Sequence, residues 1–448
     1  MRNACTNDTR VLKEARSLAR RGHEVTVVAL RRGTVPPSER RDGFRIVRVA
    51  MNPPHVRLLR RLRFRLGRST GRQPRAPGQA LEDGPPSEVT ETAAMAVGST
   101  FPARGVTGAS RVRELLMLVH RPLVALDYTV RAARLVAEEE RRDPRAPGQV
   151  LVVHAHDRNT LLPGRILVRR LGGRLVYDSH ELHMATGHFV RMGRARRAVF
   201  RGEERSGALR ADAVITVSDS VADGMVRELR IRRPLIVRNC PEWVPAPERS
   251  DRLRVELDVP SDRAIVLYHG GLVPTRGLET LLAAVPLLDD VHIVFMGDGR
   301  LRPALERRAA ELQVGDRVAF RAAVPPNELL AYVASADLGI IPTEPVVANN
   351  WFSLPNKLFE CLMAGLPVAA SRLPEIETIV EGEGIGRTFE PGRPQEIAAA
   401  VSELLREDLD ALGQRARRAA TERHRWDLEE STLLETYTKL TWADRRPL

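Results

Sequence analysis

Short apolar runs rich in β-branched residues alternate with helical segments along most of this chain, and that alternation leaves few folds open. Residues 25–30, 44–49, 151–154, 174–177, 213–217 and 235–239 read as strands in the first half. In the second half, 264–269, 291–296, 317–320, 338–341 and 367–370 read the same way. Helical periodicity fills the intervals: Val11, Leu12, Ala15, Leu18 and Ala19 share one face, and Gly22 supplies a left-handed stop. Strands separated by helices pair in parallel through crossovers. The expected fold class is therefore α/β, with two Rossmann-like doubly wound domains facing each other across a cleft. Ligands in such sheets bind beyond the carboxyl ends of the strands, which puts the site in that cleft.

With 448 residues the chain has room for two to three domains. A first domain is expected over 1–244, a second over 245–425, and a terminal helix over 426–448 that crosses back to the first; 242–253, rich in proline and charge, reads as the linker. Residues 111–142 read as a helix broken near Pro122. A Pro, Gly, Ser and Ala-rich insertion at about 57–110 lacks periodicity and is expected to be partly disordered. No run of about 18 uncharged apolar residues occurs, and Arg10, Lys13 and Glu14 interrupt the first apolar stretch, unlike a signal peptide. Cys5, Cys240 and Cys361 are too far apart for a metal pattern or a disulfide framework, which fits a reducing cytoplasm.

The net charge of +13 has two readings, an anionic partner or a bias toward arginine, since Lys13, Lys357 and Lys439 are the only lysines. Its distribution favours a partner. Arg57, Arg60, Arg61, Arg63, Arg65 and Arg68 alternate with Val56, Leu58, Leu59, Leu62, Phe64 and Leu66, a basic amphipathic pattern suited to an anionic membrane surface. Peripheral attachment at the inner face of the plasma membrane is expected. Aromatic content of 4% gives little to stack on bases, so nucleic acid is not an expected partner.

Two segments of the second half carry chemistry. In YHGGLVPTRGLETLL, Gly270 and Gly271 let backbone amides approach a ligand, and Arg276 stands just before a helix start at Gly277, where a guanidinium can grip a diphosphate. Gly297 follows the next strand in a Gly-Asp-Gly turn. In LPNKLFECLMAGLPVAAS, Asn356 reads as the helix cap and Gly365 as its stop, while Lys357 and Glu360 share a face of the first turn. An ammonium there can reach a phosphate, and a carboxylate can accept both hydroxyls of a ribose; a plain intrahelical ion pair is the alternative. In the first half, HAHD and YDSHE each follow a short strand, which makes His156, His180 and Glu181 candidates for base and sugar-hydroxyl contacts. No metal ligand set is expected.

Together these segments resemble the retaining glycosyltransferases of family four, with the GT-B fold. NDTRVLKEARSLARRGHEVTVVA and ADAVITVSDSVADGM look like first-domain segments of that family, and the two second-half motifs look like its donor site. The resemblance implies a nucleotide-diphosphate sugar donor, no metal or other cofactor, and a cell-envelope, lipid-linked or polysaccharide acceptor. It also implies that Arg276 grips the diphosphate, Glu360 the ribose, and His156 the donor sugar. Two positions depart from the family pattern: Gly271 stands where an arginine is usual, and Phe352 where a second glutamate precedes the first by eight, with Glu344 nearby. A nucleotide-sugar epimerase of the same fold and a catalytically impaired nucleotide-binding scaffold are the rival readings.

A doubly wound domain normally opens with a buried apolar strand, yet residues 1–9 contain no run of Val, Ile or Leu. An unpaired edge beside strand 25–30 is therefore expected, with about ten apolar-rich residues upstream in the native protein.

Overall fold

The computed structural model describes residues 4–6, 8–31, 34–51, 108–190 and 192–442, the side chains of 108–122, 125, 188 and 442 excepted. The basic segment 57–68 and the insertion up to residue 107 lie outside the described residues. Residues 108–110, expected in the insertion, instead open a helix.

The first half contains helix α1 (Thr9–Arg20), β1 (Thr26–Leu30), β2 (Ser38–Arg41) and β3 (Phe44–Val49). Helix α2 (Gly108–Arg142) follows without the break expected at Pro122. Then come β4 (Val152–His156), α3 (Arg158–Leu171), β5 (Arg174–Ser179), α4 (Arg194–Ala208), β6 (Ala213–Thr216), α5 (Asp219–Leu229) and β7 (Leu235–Ile236). Both β4 and β5 run two residues beyond their expected ends, so His156 and Asp178 are strand residues. These strands form two sheets, β1-β3-β2 and β4-β5-β6-β7. Pairing is parallel except for the β2–β3 hairpin.

The second half is built from β8 (Ala264–His269), α6 (Leu278–Ala284), β9 (Val291–Met296), α7 (Arg302–Glu311), β10 (Val318–Arg321) and β11 (Leu338–Ile341). It continues with α8 (Ala348–Trp351), α9 (Asn356–Ala364), β12 (Val368–Ser371), α10 (Pro374–Val380), β13 (Gly386–Phe389), α11 (Pro394–Leu404) and α12 (Leu409–Glu422). Its six parallel strands run β10-β9-β8-β11-β12-β13. That is the doubly wound order, with the switch point between β8 and β11. Apolar side chains cover both faces, one cluster around Leu267, Phe359 and Leu362 and another around Phe295, Leu281 and Ile397. Every residue of β9, β11 and β12 is buried, as strands covered on both sides require.

The first half departs from that order at its centre. Among the described residues β1 pairs only with β3, and β4 only with β5, so both are edge strands. The unpaired edge of β1 is the one expected from the sequence. Helix α1 spans both sheets: Val11, Leu12 and Ala15 pack on β1 and β3, and Leu18 joins Val176, Ile215 and Val237 of the second sheet. The final helix α13 (Trp426–Trp442) adds Trp426, Leu433 and Tyr437 to that same cluster. Among the described residues no helix is long and apolar enough to cross a membrane.

Candidate active site

Strand β8 delivers its carboxyl end to the switch point and then turns sharply. Gly270 has φ 116°, and Gly297 after β9 has φ 150°. A side chain on Gly297 would place Cβ 2.0 Å from the Gly270 carbonyl oxygen, so the two turns are in backbone contact. Gly277 has φ 70°, and its Cβ would meet the Pro342 carbonyl at 1.7 Å, which ties the start of α6 to the end of β11. Gly271 has ordinary backbone geometry and room for a side chain.

Lys357, in the first turn of α9, turns its ammonium over the Tyr268 ring at 3.7 Å from the centroid. It ends 3.4 Å from where a Gly270 Cβ would stand. Burial and the neighbouring Arg276 guanidinium push Lys357 well below the usual lysine range, with Glu360 only partly opposing them. Lys357 thus sits at the Gly270 turn with Arg276 near enough to oppose its charge. Glu360 does not form the intrahelical pair with Lys357; its Oε2 lies 2.9 Å from Nε2 of buried His269. Asn356 is the first helical residue rather than the cap, which is Pro355. Its Oδ1 is free to accept from Asn239 of the first half at 3.0 Å.

Facing this, the ends of β4 and β5 hold a buried network. Asp178 Oδ2 lies 3.2 Å from His156 Nδ1 and 3.1 Å from His180 Nε2. Arg10 donates to both Asp178 oxygens at 2.8 Å. Burial works against the Asp178 charge, yet Arg10 and His180 hold it well below the usual carboxylate range. His154 stacks on His156 with centroids 4.4 Å apart. Glu14 comes within 3.0 Å of Arg10, but burial pushes its carboxyl up. Glu14, His154, His156 and Asp178 can bring one ligand atom each within 4.8 Å of one another. The Arg10 guanidinium already supplies a cation to Asp178 and Glu14, so the cluster suits a divalent metal poorly.

Glu181 joins this network only at its margin, its Oε1 3.4 Å from Nδ1 of His183, whose Nε2 in turn meets Asp157 at 3.3 Å. Its Oε2 accepts from Asn349 Nδ2 at 2.9 Å, and Asn349 Oδ1 accepts from the Leu182 amide at 3.2 Å. The two halves therefore touch through α8. Phe352, at the position where the family pattern has glutamate, packs against the apolar cluster of the first half that contains Leu182 and Ala185. Sequence reasoning missed Arg10, Asp178, His269 and Asn349. Asp178 and His269 stood inside the motifs noticed, at strand ends; Arg10 and Asn349 carried no local signal.

Burial lowers the His180 pKa, but Asp157 and Asp178 overcome it and raise it to about 10. A histidine whose folded pKa is raised contributes stability in full below its unfolded value, about 6.5, and loses it as pH rises through the folded value. We expect stability to fall between about pH 7 and pH 10, and His180→Gln to flatten that slope in urea titrations across the same range. An unchanged slope in the variant would remove His180 as its source.

Residues 8–241 match the glycosyl transferase 4-like domain family, and residues 263–407 match glycosyl transferases group 1. The chain is 28% identical to D-inositol 3-phosphate glycosyltransferase of Thermobispora bispora over 323 residues, 65% of this chain and 71% of the relative. In fold it is similar to sucrose-phosphate synthase of Thermosynechococcus elongatus, with TM-score 0.68 and 18% identity over 97% of this chain and 93% of the other. It is also similar to Anabaena HepE, solved in complex with UDP-glucose, with TM-score 0.55 and 21% identity over 64% of this chain and 79% of the other.

Proposed function

The chain belongs to the group 1, family four-like glycosyltransferases of the GT-B fold, and from that premise we propose that it transfers a sugar from a nucleotide-diphosphate donor held by the second half to an acceptor held by the first. The observation that carries this reading is the buried Lys357 ammonium held over Tyr268 at the Gly270 turn of the switch point, with the Arg276 guanidinium near enough to oppose its charge. Two basic side chains that disfavour each other's charge are brought to full charge by an anion, and a diphosphate supplies one without a metal ion. Glu360, steadied by His269, is placed to accept the ribose hydroxyls. Asn356, Gly270, Gly271 and Gly297 line the approach. His156 and His180 are assigned to the donor sugar; Glu181, which borders the cleft through Asn349, is assigned to the acceptor side.

In the transfer, the bond from the anomeric carbon to the diphosphate oxygen breaks and a bond to the acceptor oxygen forms. The acceptor proton passes to the departing phosphate, whose charge Arg276 and Lys357 stabilise. Attack by the acceptor oxygen on the face from which the phosphate departs, with that phosphate taking the acceptor proton, gives retention. A relative named as a phosphatidylinositol monomannoside mannosyltransferase supports a lipid-linked or cell-envelope acceptor, whereas those named for D-inositol 3-phosphate point to a small soluble one; a polysaccharide acceptor is compatible with the same site. The segment 57–68 is proposed to contribute peripheral membrane contact.

Because HepE is solved with UDP-glucose, UDP and GDP, alone and as sugar conjugates, are the first ligands to test. A bound nucleotide raises apparent stability by mass action, about 2.7 kcal/mol at a hundred times its dissociation constant. We expect one nucleoside diphosphate to raise the melting temperature and Lys357→Met to abolish the rise. Release of nucleotide from the matching sugar conjugate should require an acceptor. Interconversion of the donor with no acceptor present would favour an epimerase, and no stabilisation by any nucleotide would sink the reading. Binding should also take up a proton, because the diphosphate restores the depressed Lys357 pKa. Calorimetry in buffers of different ionisation enthalpy reads this directly.

A further inference from the structure

Helices α3 and α4 of the first half lie side by side, Leu161 of one against Gly207 of the other. Between them and Arg210 just beyond, they carry ten arginines and two glutamates. Both glutamates are already engaged: Glu204 is buried and accepts from the Tyr177 hydroxyl at 2.8 Å, and Glu203 pairs with Arg158 at 2.7 Å. What remains outward is basic. Among the described residues Arg169, Arg170, Arg194 and Arg205 have no acidic partner, and all four are exposed. The charges are close enough to oppose one another: after burial, Arg210 and Arg169 both lower the Arg165 guanidinium. Such crowding is unfavourable unless an anionic surface meets it.

Apolar side chains break the same face. Val199 is 70% exposed, Leu209 51% and Leu162 41%. Interleaved arginines and exposed aliphatic residues suit the boundary between headgroups and acyl chains, where charge meets phosphate and the aliphatic groups leave water. A polynucleotide would instead call for stacking aromatics, and Phe200, the aromatic residue of α4, lies under Arg158 and Arg196.

We propose that the outward face of α3 and α4, centred on Arg169, Arg205, Val199 and Leu209, is a docking surface for an anionic lipid leaflet. This is a different surface from residues 57–68. It deepens the functional reading by assigning how the protein meets a membrane, but it does not depend on which donor is used.

The test is sedimentation of the full chain with phosphatidylcholine vesicles, with and without about one-third phosphatidylglycerol. The wild type should partition to the anionic vesicles alone and be released by high salt. The quadruple variant Arg169→Gln, Arg194→Gln, Arg205→Gln, Arg210→Gln should lower the partition coefficient about a hundredfold or more, at about fivefold per arginine. Val199→Asn with Leu209→Asn should weaken binding at fixed charge. Both variants should keep the nucleotide-induced rise in melting temperature, which separates this proposal from the donor-site reading and reports folding. Wild-type binding that is absent, equal on neutral vesicles, or undiminished in the quadruple variant overturns it; the last would place the contact on another segment such as 57–68. Binding lost to the arginine variant but untouched by the Asn pair would make the face a general polyanion site and overturn the lipid assignment.

Discussion

Methionine in place of Arg10 should destabilise the first half by about 3–5 kcal/mol, the cost of breaking a buried ion pair by removing one partner. Arg10 and Asp178 are 3% and 0% exposed, and two parallel hydrogen bonds of 2.8 Å join them. Removing the guanidinium leaves Asp178 charged, or protonated at the expense of its bonds to His156 and His180. Glu14, also acidic and 3.0 Å from Arg10, loses the same cation and so adds to the cost. Urea denaturation followed through the first half should show the lower midpoint. The double variant Arg10→Met, Asp178→Asn should cost less than the sum of the two single changes, because the partners are coupled. A loss below about 1 kcal/mol for Arg10→Met would mean that water reaches the pair and that the network is not closed.

Alanine at Glu360 is the second large effect, on ligand affinity and not on fold. The carboxylate is one-quarter exposed and fixed by His269 at 2.9 Å, so it is oriented before any nucleotide arrives. Losing a charged hydrogen-bonding partner should cost about 1.5–3 kcal/mol of nucleotide affinity, roughly ten- to hundredfold. Glu360→Gln keeps the shape and a bond to His269 and should fall between. Calorimetry with the preferred nucleoside diphosphate distinguishes them, with melting temperature as the control on folding. Wild-type affinity in the alanine variant would remove Glu360 from the ribose site. Parallel loss with either ribose or deoxyribose nucleotides would shift its contact from the hydroxyls to elsewhere on the ligand.

The sequence by itself determined the α/β class, the alternation of strands and helices in both halves, and the glycine turns of the second half. Those follow from local signals: β-branched runs at strand length, helical periodicity between them, and glycines where the backbone needs positive φ, as at Gly270 and Gly297. Strand ends were less legible. β4 and β5 ran further than their apolar residues suggested because Asp178 and His156 are paired by partners distant in sequence. The partner of Glu360 illustrates the same limit: spacing within α9 offered Lys357, whereas the fold brought in His269 from β8. Spacing reports only neighbours on one element. Which cation neutralises Asp178, why Phe352 turns into the first half, and how Asn349 reaches Glu181 were decided by tertiary structure alone. Each depends on packing between segments more than a hundred residues apart, or across a sheet, where desolvation sets the energy of a charge and no local pattern in the chain records it.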